Sequence, residues 1–436
     1  MKSISDYNQA EALLIGETNV VLELSKKFLK LTKNNFVERP WGGVKIRSFK
    51  GLHSLPDQVI KTGMGVGEAF ELSACKEDEE CQLYPSRLKF DDGSEITLSQ
   101  LLDVSADELL GDQFIASYGK TFPLLIKTLD IKELLSVQGH PEGNTELYII
   151  IDAEPGATIR LGFKHNIDAD QLQASLLQGR LKQEVLARKL SSVADEIKLQ
   201  KILRPWFADR ESSFSVLLDS SEIKNTKEWL LVEGLVNELK DLYWHILDSM
   251  NEIPVESGKV LYNANPSRAL RGLAQRPSAE VHALGNPERH EILALEVRLP
   301  GPTYRAWDNL RFPVRDIDVS IALNALNLGR TKISEFIRTP TKVKGKKGTF
   351  CSLDNDFFCV EHLKPDYQTS VVVSETFPHY LYAIKGTSRF IGKGGDVLDL
   401  LTQGESAIVP KNVGQYQIEN VDPESEVIKV SLPIRM

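Results

Sequence analysis

The chain has 436 residues, 42% hydrophobic and 26% charged, with a formal net charge of −9. That is an ordinary globular composition, long enough for two or three domains, and the modest spread-out charge implies no nucleic acid and no membrane surface as partner. No apolar stretch approaches the about 20 residues of a membrane span, the N-terminus lacks a signal-peptide pattern, and the four cysteines show no CxxC spacing, so the expectation is a cytoplasmic protein with reduced thiols.

Residues 1–35, with QAEALLI and LELSKKFLKL, read as a helical lead-in. Over 36–166 the short apolar runs GVKIRSF, EAFELSAC, FPLLIKTLD, LSVQ, LYIIIDA and TIRLGF alternate with Gly, Pro and Asp turns, the pattern of an antiparallel sandwich or barrel. Over 167–253 the texture changes. DADQLQASLLQGRLKQEVLARKLSSVADEIKLQKIL and TKEWLLVEGLVNELKDLYWHILDSM space their apolar residues by three and four, with Asn225 or Thr226 as a cap for the second. This helical insertion reads as a lid or packing layer without chemistry. Short strands resume over 254–328 (SGKVLYNA, HEILALEVRL), and IDVSIALNALNL suits a helix. A second β-rich unit fills 329–436, with SVVVSE, HYLYAIKG, SRFIGK, SAIVPK, QYQIEN and EVIKVSL.

Within the first β unit, LSVQGHPEGNTELYII places Gln138 and His140 two apart, on one face of a strand. Glu146 opens the next apolar run, so the turn PEGN is expected to join two adjacent strands. His282, in RPSAEVHALG, is the remote fourth candidate. An amide oxygen, a carboxylate and two imidazoles suit zinc or another borderline divalent cation, one per chain. A lone strand histidine is usually structural, but the β-branched surroundings make unpaired charge costly here, which favours a metal. A metal with an open position polarises carbonyls, which points to an enzyme. His53, His165, His245, His290, His362 and His379 are read as structural.

The late motif of the cupin double-sheet jelly roll, G-x5-P-x4-H, is matched in halves. Gly404-ESAIV-Pro410 fits its first half, with Gln415 at the histidine position, and Pro277-SAEV-His282 fits its second. The expected fold is therefore mainly β, with two cupin-like jelly-roll barrels (a bicupin) plus the α-helical insertion. The first barrel, 36–166 and 254–328, keeps metal ligands, and the C-terminal barrel has none.

Six ordered stretches resemble the type I mannose-6-phosphate isomerases. RPWGGVKI is similar to the family's WGG entry motif and VGEAFELSA to GE-[SAC]-W-x-[VIL]-S. FPLLIKTLDIKELLSVQGHP is similar to PxLxK-x-L-D…LSxQVHP, TELYIIIDAEPGATIRLGFK to TE-x-WYI-x-D…GFK, PSAEVHALG to PAGTxHAxG, and LEVRLPGPTYRAWD to LEIQQxSDxTYRxYD. The resemblance implies a zinc-dependent enzyme that interconverts mannose 6-phosphate and fructose 6-phosphate. The family's ligands fall on Gln138, His140, Glu146 and His282, the arginine of its YR pair on Arg305, and its LE carboxylate on Glu296. Ser136 and Arg311 fall at phosphate-facing positions. The chain departs at Asn144, where the family has lysine, at Gly139, at Leu147, where the family has tryptophan, and at Pro277-Ser-Ala, which marks a divergent branch.

Isomerisation moves a proton between two carbons while charge builds on oxygen. Glu296 is the candidate acid/base, Arg305 the group that meets developing charge, and Ser136, Arg311 and Lys132 the candidate phosphate contacts; Lys127 could likewise supply phosphate charge, and the plainer reading of both lysines is a solvated side chain. The substrate is then a small sugar phosphate and the protein a monomer or weak oligomer. The competing readings are a non-catalytic sugar-phosphate-binding regulatory cupin, an isomerase of another sugar phosphate, and an iron oxygenase, against which Gln138 and the arginines argue.

Overall fold

The computed structural model describes residues 8–14, 18–52, 65–192, 194–220, 226–264, 279–366, 370–374 and 377–433. Strand alternation sorts it into layers. In the Glu146–Ala153 strand, Leu147 and Ile149 enter one apolar cluster while Tyr148 and Ile150 enter another on the opposite face. The sheet containing this strand is thus buried on both sides. It runs Ile337–Arg338, Val260–Asn263, Glu146–Ala153, Ile292–Arg298, Leu125–Ile131, Gly65–Ser73, Phe36–Arg39, all antiparallel.

One face of this seven-stranded sheet meets a five-stranded sheet, ordered Met250–Pro254, Thr158–Phe163, His282–Ala283, Val137–Gly139, Tyr304–Trp307, through Leu129, Ile131, Ile150, Ile159, Leu161 and Ile253. The other face packs Ile126, Leu147, Leu295 and Val297 against Tyr380, Tyr382, Ile428 and Val430 of a C-terminal seven-stranded sheet. That sheet in turn covers a four-stranded one, where Leu381 and Val409 meet Phe390 and Ile418. The helices Ala169–Leu190, Glu196–Ala208, Phe214–Ser220, Thr226–Leu230 and Glu233–Ser249 lie outside the five-stranded sheet, with Leu186, Phe207 and Tyr243 clustered on Val137, Phe163 and Trp307. Asp168 and Asp195 accept backbone N–H bonds at the starts of the first two.

Several expectations need correction. GVKIRSF is not a strand: Lys45–Phe49 is a short helix. The stretch 98–118, taken as part of the β unit, holds the helices Leu98–Leu109 and Asp112–Tyr118, the first opened by a capping box between Thr97 and Gln100. LELSKKFLKL leaves the helix at Leu24, and Leu29–Lys30 joins the C-terminal sheet beside Ser406–Val409. The C-terminal unit begins later than 329, because Ile337 and Arg338 pair with Val260 and Leu261 of the first unit. Asn225, Pro277 and Ser278 lie outside the described residues.

A buried ion pair of the first β unit sits where the C-terminal unit packs on it. Lys50, fully buried, places Nζ 2.6 Å from both oxygens of Glu71, which also accepts from Thr128 Oγ1 at 2.6 Å. Tyr382 of the C-terminal sheet bonds Thr128 at 2.8 Å. Burial pushes the Lys50 ammonium below its ordinary value despite Glu71. Removing one charge strands the other, so Lys50→Met is expected to cost about 3–5 kcal/mol in urea unfolding followed by circular dichroism. Lys50→Met/Glu71→Met together should recover most of that loss, and additive losses would refute the pairing.

Candidate metal centre

Register assembles the site. His282 pairs with Gln138, and Gln138 on its other side with Arg305, so three candidates stand in one row across the five-stranded sheet. On the facing sheet Arg298 stands opposite Glu146, and Glu296 opposite both Tyr148 and Lys127. The inner face that is apolar at Leu129, Ile150 and Ala294 turns polar at Lys127, Glu146 and Glu296 along the same strands. There the sandwich opens into a cavity of about 280 Å³. The turn after His140 therefore joins strands of two facing sheets, and the expected pair of adjacent strands is replaced by a pair that closes on the site from both sides. Gly139 has its own reason: a Cβ there would lie 2.4 Å from Leu326.

His140, Glu146 and His282 are each 1% exposed. His140 Nε2 lies 2.7 Å from Glu146 Oε1, and His282 Nε2 lies 3.4 Å from Oε2. The Gln138 carboxamide is 3.1 Å from His282 Nε2 and accepts from Ser136 Oγ at 3.2 Å. Both Nδ1 atoms donate outward, His140 to the Pro302 carbonyl at 3.0 Å and His282 to that of Glu280 at 2.9 Å. That leaves both Nε2 lone pairs aimed at the carboxylate. His140 Nε2 has no hydrogen-bond partner among the described residues, so two acceptors face each other at 2.7 Å, an arrangement that needs a cation or a proton between them.

The electrostatics agree. Burial opposes charge on Glu146, yet His140, His282 and Arg298 hold it ionised well below the usual carboxylate range. Burial pushes His282 down, keeping it neutral and able to ligate. The two imidazoles, the Glu146 carboxylate and, after a half-turn of its carboxamide, the Gln138 oxygen form a donor set that fits zinc. Tyr148 Oη donates to Glu146, and Asn263 donates from Nδ2 to Glu146 Oε2 at 3.4 Å and accepts at Oδ1 from the Glu280 N–H at 2.9 Å, so the ligands are themselves held.

Of the other candidates, Ser136, Glu296, Arg305 and Arg311 line the cavity. Burial first, then the charge of Glu146, push Glu296 up to about 7, against the pull of Lys127 and Arg298. Arg305 has no hydrogen-bonding or ion-pair partner among the described residues. Arg311 is buried, donates to the Leu134 carbonyl and to Asp308 at 3.2 Å, and its Nε has no partner. Lys132 is placed elsewhere: it lies 3.5 Å from Glu291 and 3.9 Å from Glu154 and is not among the lining residues. Lys127, read as solvated, is instead 3% exposed, 2.7 Å from Glu80, and lines the cavity. Arg298, Glu80, Arg39 and Arg315 were missed, though the parity of Glu296 and Arg298 on one strand was a readable signal.

Residues 85–157 match the family described as Phosphomannose isomerase type I, catalytic domain. The Bacillus subtilis (strain 168) protein named "Probable mannose-6-phosphate isomerase GmuF" is 30% identical over 170 residues, 34% of this chain and 47% of that relative. Over these stretches the chain is similar to the type I phosphomannose isomerases. The match to the curated relative thus spans about half of that protein's length. Two solved structures share the fold with nearly full coverage. The mannose 6-phosphate isomerase from Bacillus subtilis superposes with a TM-score of 0.60 at 18% identity, covering 93% of this chain and 100% of its own. A mannose 6-phosphate isomerase bound with zinc and yttrium gives 0.57 at 14%, covering 93% and 99%. Asn144, where the resemblance places a lysine, is 3% exposed, and neither of its amide atoms has a hydrogen-bond partner among the described residues.

Titration of metal-free protein with zinc should show one tight site, and at about 100 times its dissociation constant zinc should raise unfolding stability by about 2.7 kcal/mol. Glu146→Gln should abolish that gain, and Asn263→Ala should weaken zinc about 10- to 100-fold, measured by competition with a chelating dye.

Proposed function

We propose that the protein is a zinc-dependent aldose–ketose isomerase that interconverts mannose 6-phosphate and fructose 6-phosphate, built on paired cupin barrels. The observation that carries this is one cavity combining the ligand cluster, a carboxyl near neutrality and an arginine without a partner. Zinc held by Gln138, His140, Glu146 and His282 would supply positive charge for the carbonyl and enediolate oxygens. Glu296 takes the proton from C2 of the aldose and returns it to C1, and the O2 proton ends on O1. A carboxyl at about 7 is matched to both halves of that exchange near neutral pH. Arg305, unengaged and set beside Gln138 in register, meets the charge that grows on oxygen. Arg311, through its unpartnered Nε, and the Ser136 hydroxyl hold the phosphate, with Arg315 taking the part first given to Lys132.

An isomerase of a different sugar phosphate is the second reading, and Asn144 favours it. A neutral, unsatisfied amide replaces a cation beside Gly301, whose Cβ position is 2.7 Å from Asn144 Nδ2. Turnover of mannose 6-phosphate measured beside a panel of other hexose and pentose phosphates decides between them, and no turnover of any would leave a binding protein.

Arg305→Ala should keep zinc and lower kcat by roughly 10²–10³-fold, about 3–4 kcal/mol, because that charge is met only in the transition state. Arg311→Ala should chiefly raise KM, since a phosphate contact is made equally in the ground state. Steady-state kinetics in which both variants lose only affinity would make Arg305 a binding residue.

The base form of Glu296 is its carboxylate, so kcat/KM should rise with pH. Zinc bound by Glu146 weakens the repulsion that raises Glu296, so the half-maximum should fall at or below about 7. Glu296→Gln should remove this limb and the activity together, and a limb surviving in Glu296→Gln would assign the base elsewhere.

A further inference from the structure

Arg298 is 2% exposed and reaches three carboxylates from three elements. Its Nη2 is 3.0 Å from Glu80 of the Glu79–Leu83 helix, and its Nε is 3.7 Å from Glu296 on its own strand and 4.0 Å from the ligand Glu146 across the sheet. Nη1 donates to the carbonyls of Leu299 at 3.3 Å and Gly301 at 3.0 Å. A planar guanidinium hydrogen-bonded through Nη1 and Nη2 holds its Nε edge toward the other two carboxylates, unlike an ammonium on a flexible stem. Glu80 is in turn held by Lys127 at 2.7 Å, so the cation has a half-buried counter-charge that neither reaction nor metal requires.

The placement answers a difficulty in the site. Glu146 and Glu296 are two buried carboxylates on neighbouring strands of one face, and only the first is placed with the imidazoles. Without a cation between them they repel, and Glu296 is free to turn toward whatever positive charge Glu146 holds. The backbone that Arg298 grips leads directly to Pro302, whose carbonyl orients His140, and on to Arg305.

We infer that Arg298 is a positioning residue that keeps Glu296 aimed at the substrate as a base and away from the metal as a fifth ligand, with Glu80 fixing Arg298. The inference deepens the isomerase reading and rests on it for its kinetic test. Arg298→Met is expected to lower kcat about 100-fold, the scale of a misplaced reacting group, while KM stays within about threefold of wild type and calorimetry still shows one zinc bound per chain. Arg298→Lys should regain at least about tenfold, and Glu80→Gln should lose about tenfold in kcat with KM unchanged.

The inference is overturned if Arg298→Met keeps wild-type kcat, if Arg298→Lys is no better than Arg298→Met, or if zinc is lost in step with kcat. Should Arg298→Met fail to fold, Glu80→Gln decides by the same kcat-against-KM split. A crystal structure of zinc-loaded Arg298→Met tests the placement independently of turnover. Glu296 should leave its wild-type position, and an unmoved Glu296 overturns the inference. Wild-type protein inactive on every sugar phosphate overturns the isomerase reading instead, and the crystal comparison still stands.

Discussion

The structure turns on one carboxylate kept ionised in an apolar interior. Glu146 is almost fully buried, and burial alone would neutralise it. What holds it ionised comes from both sheets: His140 and His282 from the five-stranded one, Arg298 from its own. Each imidazole is committed by its outward bond to a carbonyl, so both lone pairs turn inward, toward Glu146 and, for His282, the Gln138 carboxamide as well. An assembly of acceptors facing acceptors is unfavourable by itself, and a divalent cation resolves it.

The rest of the molecule serves that placement. The seven-stranded sheet is buried on both faces, so its strands are fixed by packing on the C-terminal unit and cannot drift relative to the five-stranded sheet. The helical layer does more than cover. Arg204 of the Glu196–Ala208 helix bonds the carbonyls of Leu134 at 3.0 Å and Asn309 at 3.2 Å, tying together the segments that carry Ser136 and Arg311. Charge follows the same logic. Arg39, Lys127 and Arg298 are matched by Glu68, Glu80 and Glu296, whereas Arg305 is unmatched and Arg311 and Arg315 share Asp308. The positive excess therefore lies at the arginine end of the cavity, where an anionic group would settle.

Much of the site was legible in the sequence because strand parity is a strict rule. Gln138 and His140, two apart, converge with Glu146 and His282 because successive side chains alternate. What the text could not show was which sheet each strand joins, since the PEGN turn reads the same whether it returns to a neighbour or crosses to a facing layer. Lys132 and Lys127, alike in the sequence, are told apart only by the fold. Their spacing does not reveal that Lys127 shares the inner face with Glu296 while Lys132, past the strand end at Ile131, reaches Glu291. The helix Leu98–Leu109 was readable from Thr97, Gln100 and the run of leucines, but it lay inside a stretch dominated by strand patterns. The C-terminal partner of Leu29–Lys30 is a long-range pairing that no local signal announces.

The central claim is that bound zinc and sugar-phosphate isomerisation belong to the same site. Its most direct test is stepwise addition of zinc to chelator-stripped protein while the conversion of fructose 6-phosphate to mannose 6-phosphate is followed. The account predicts no conversion without metal and a linear rise that breaks at one equivalent per chain. Conversion indifferent to chelation, or zinc bound at one equivalent with no conversion of any sugar phosphate, would contradict it.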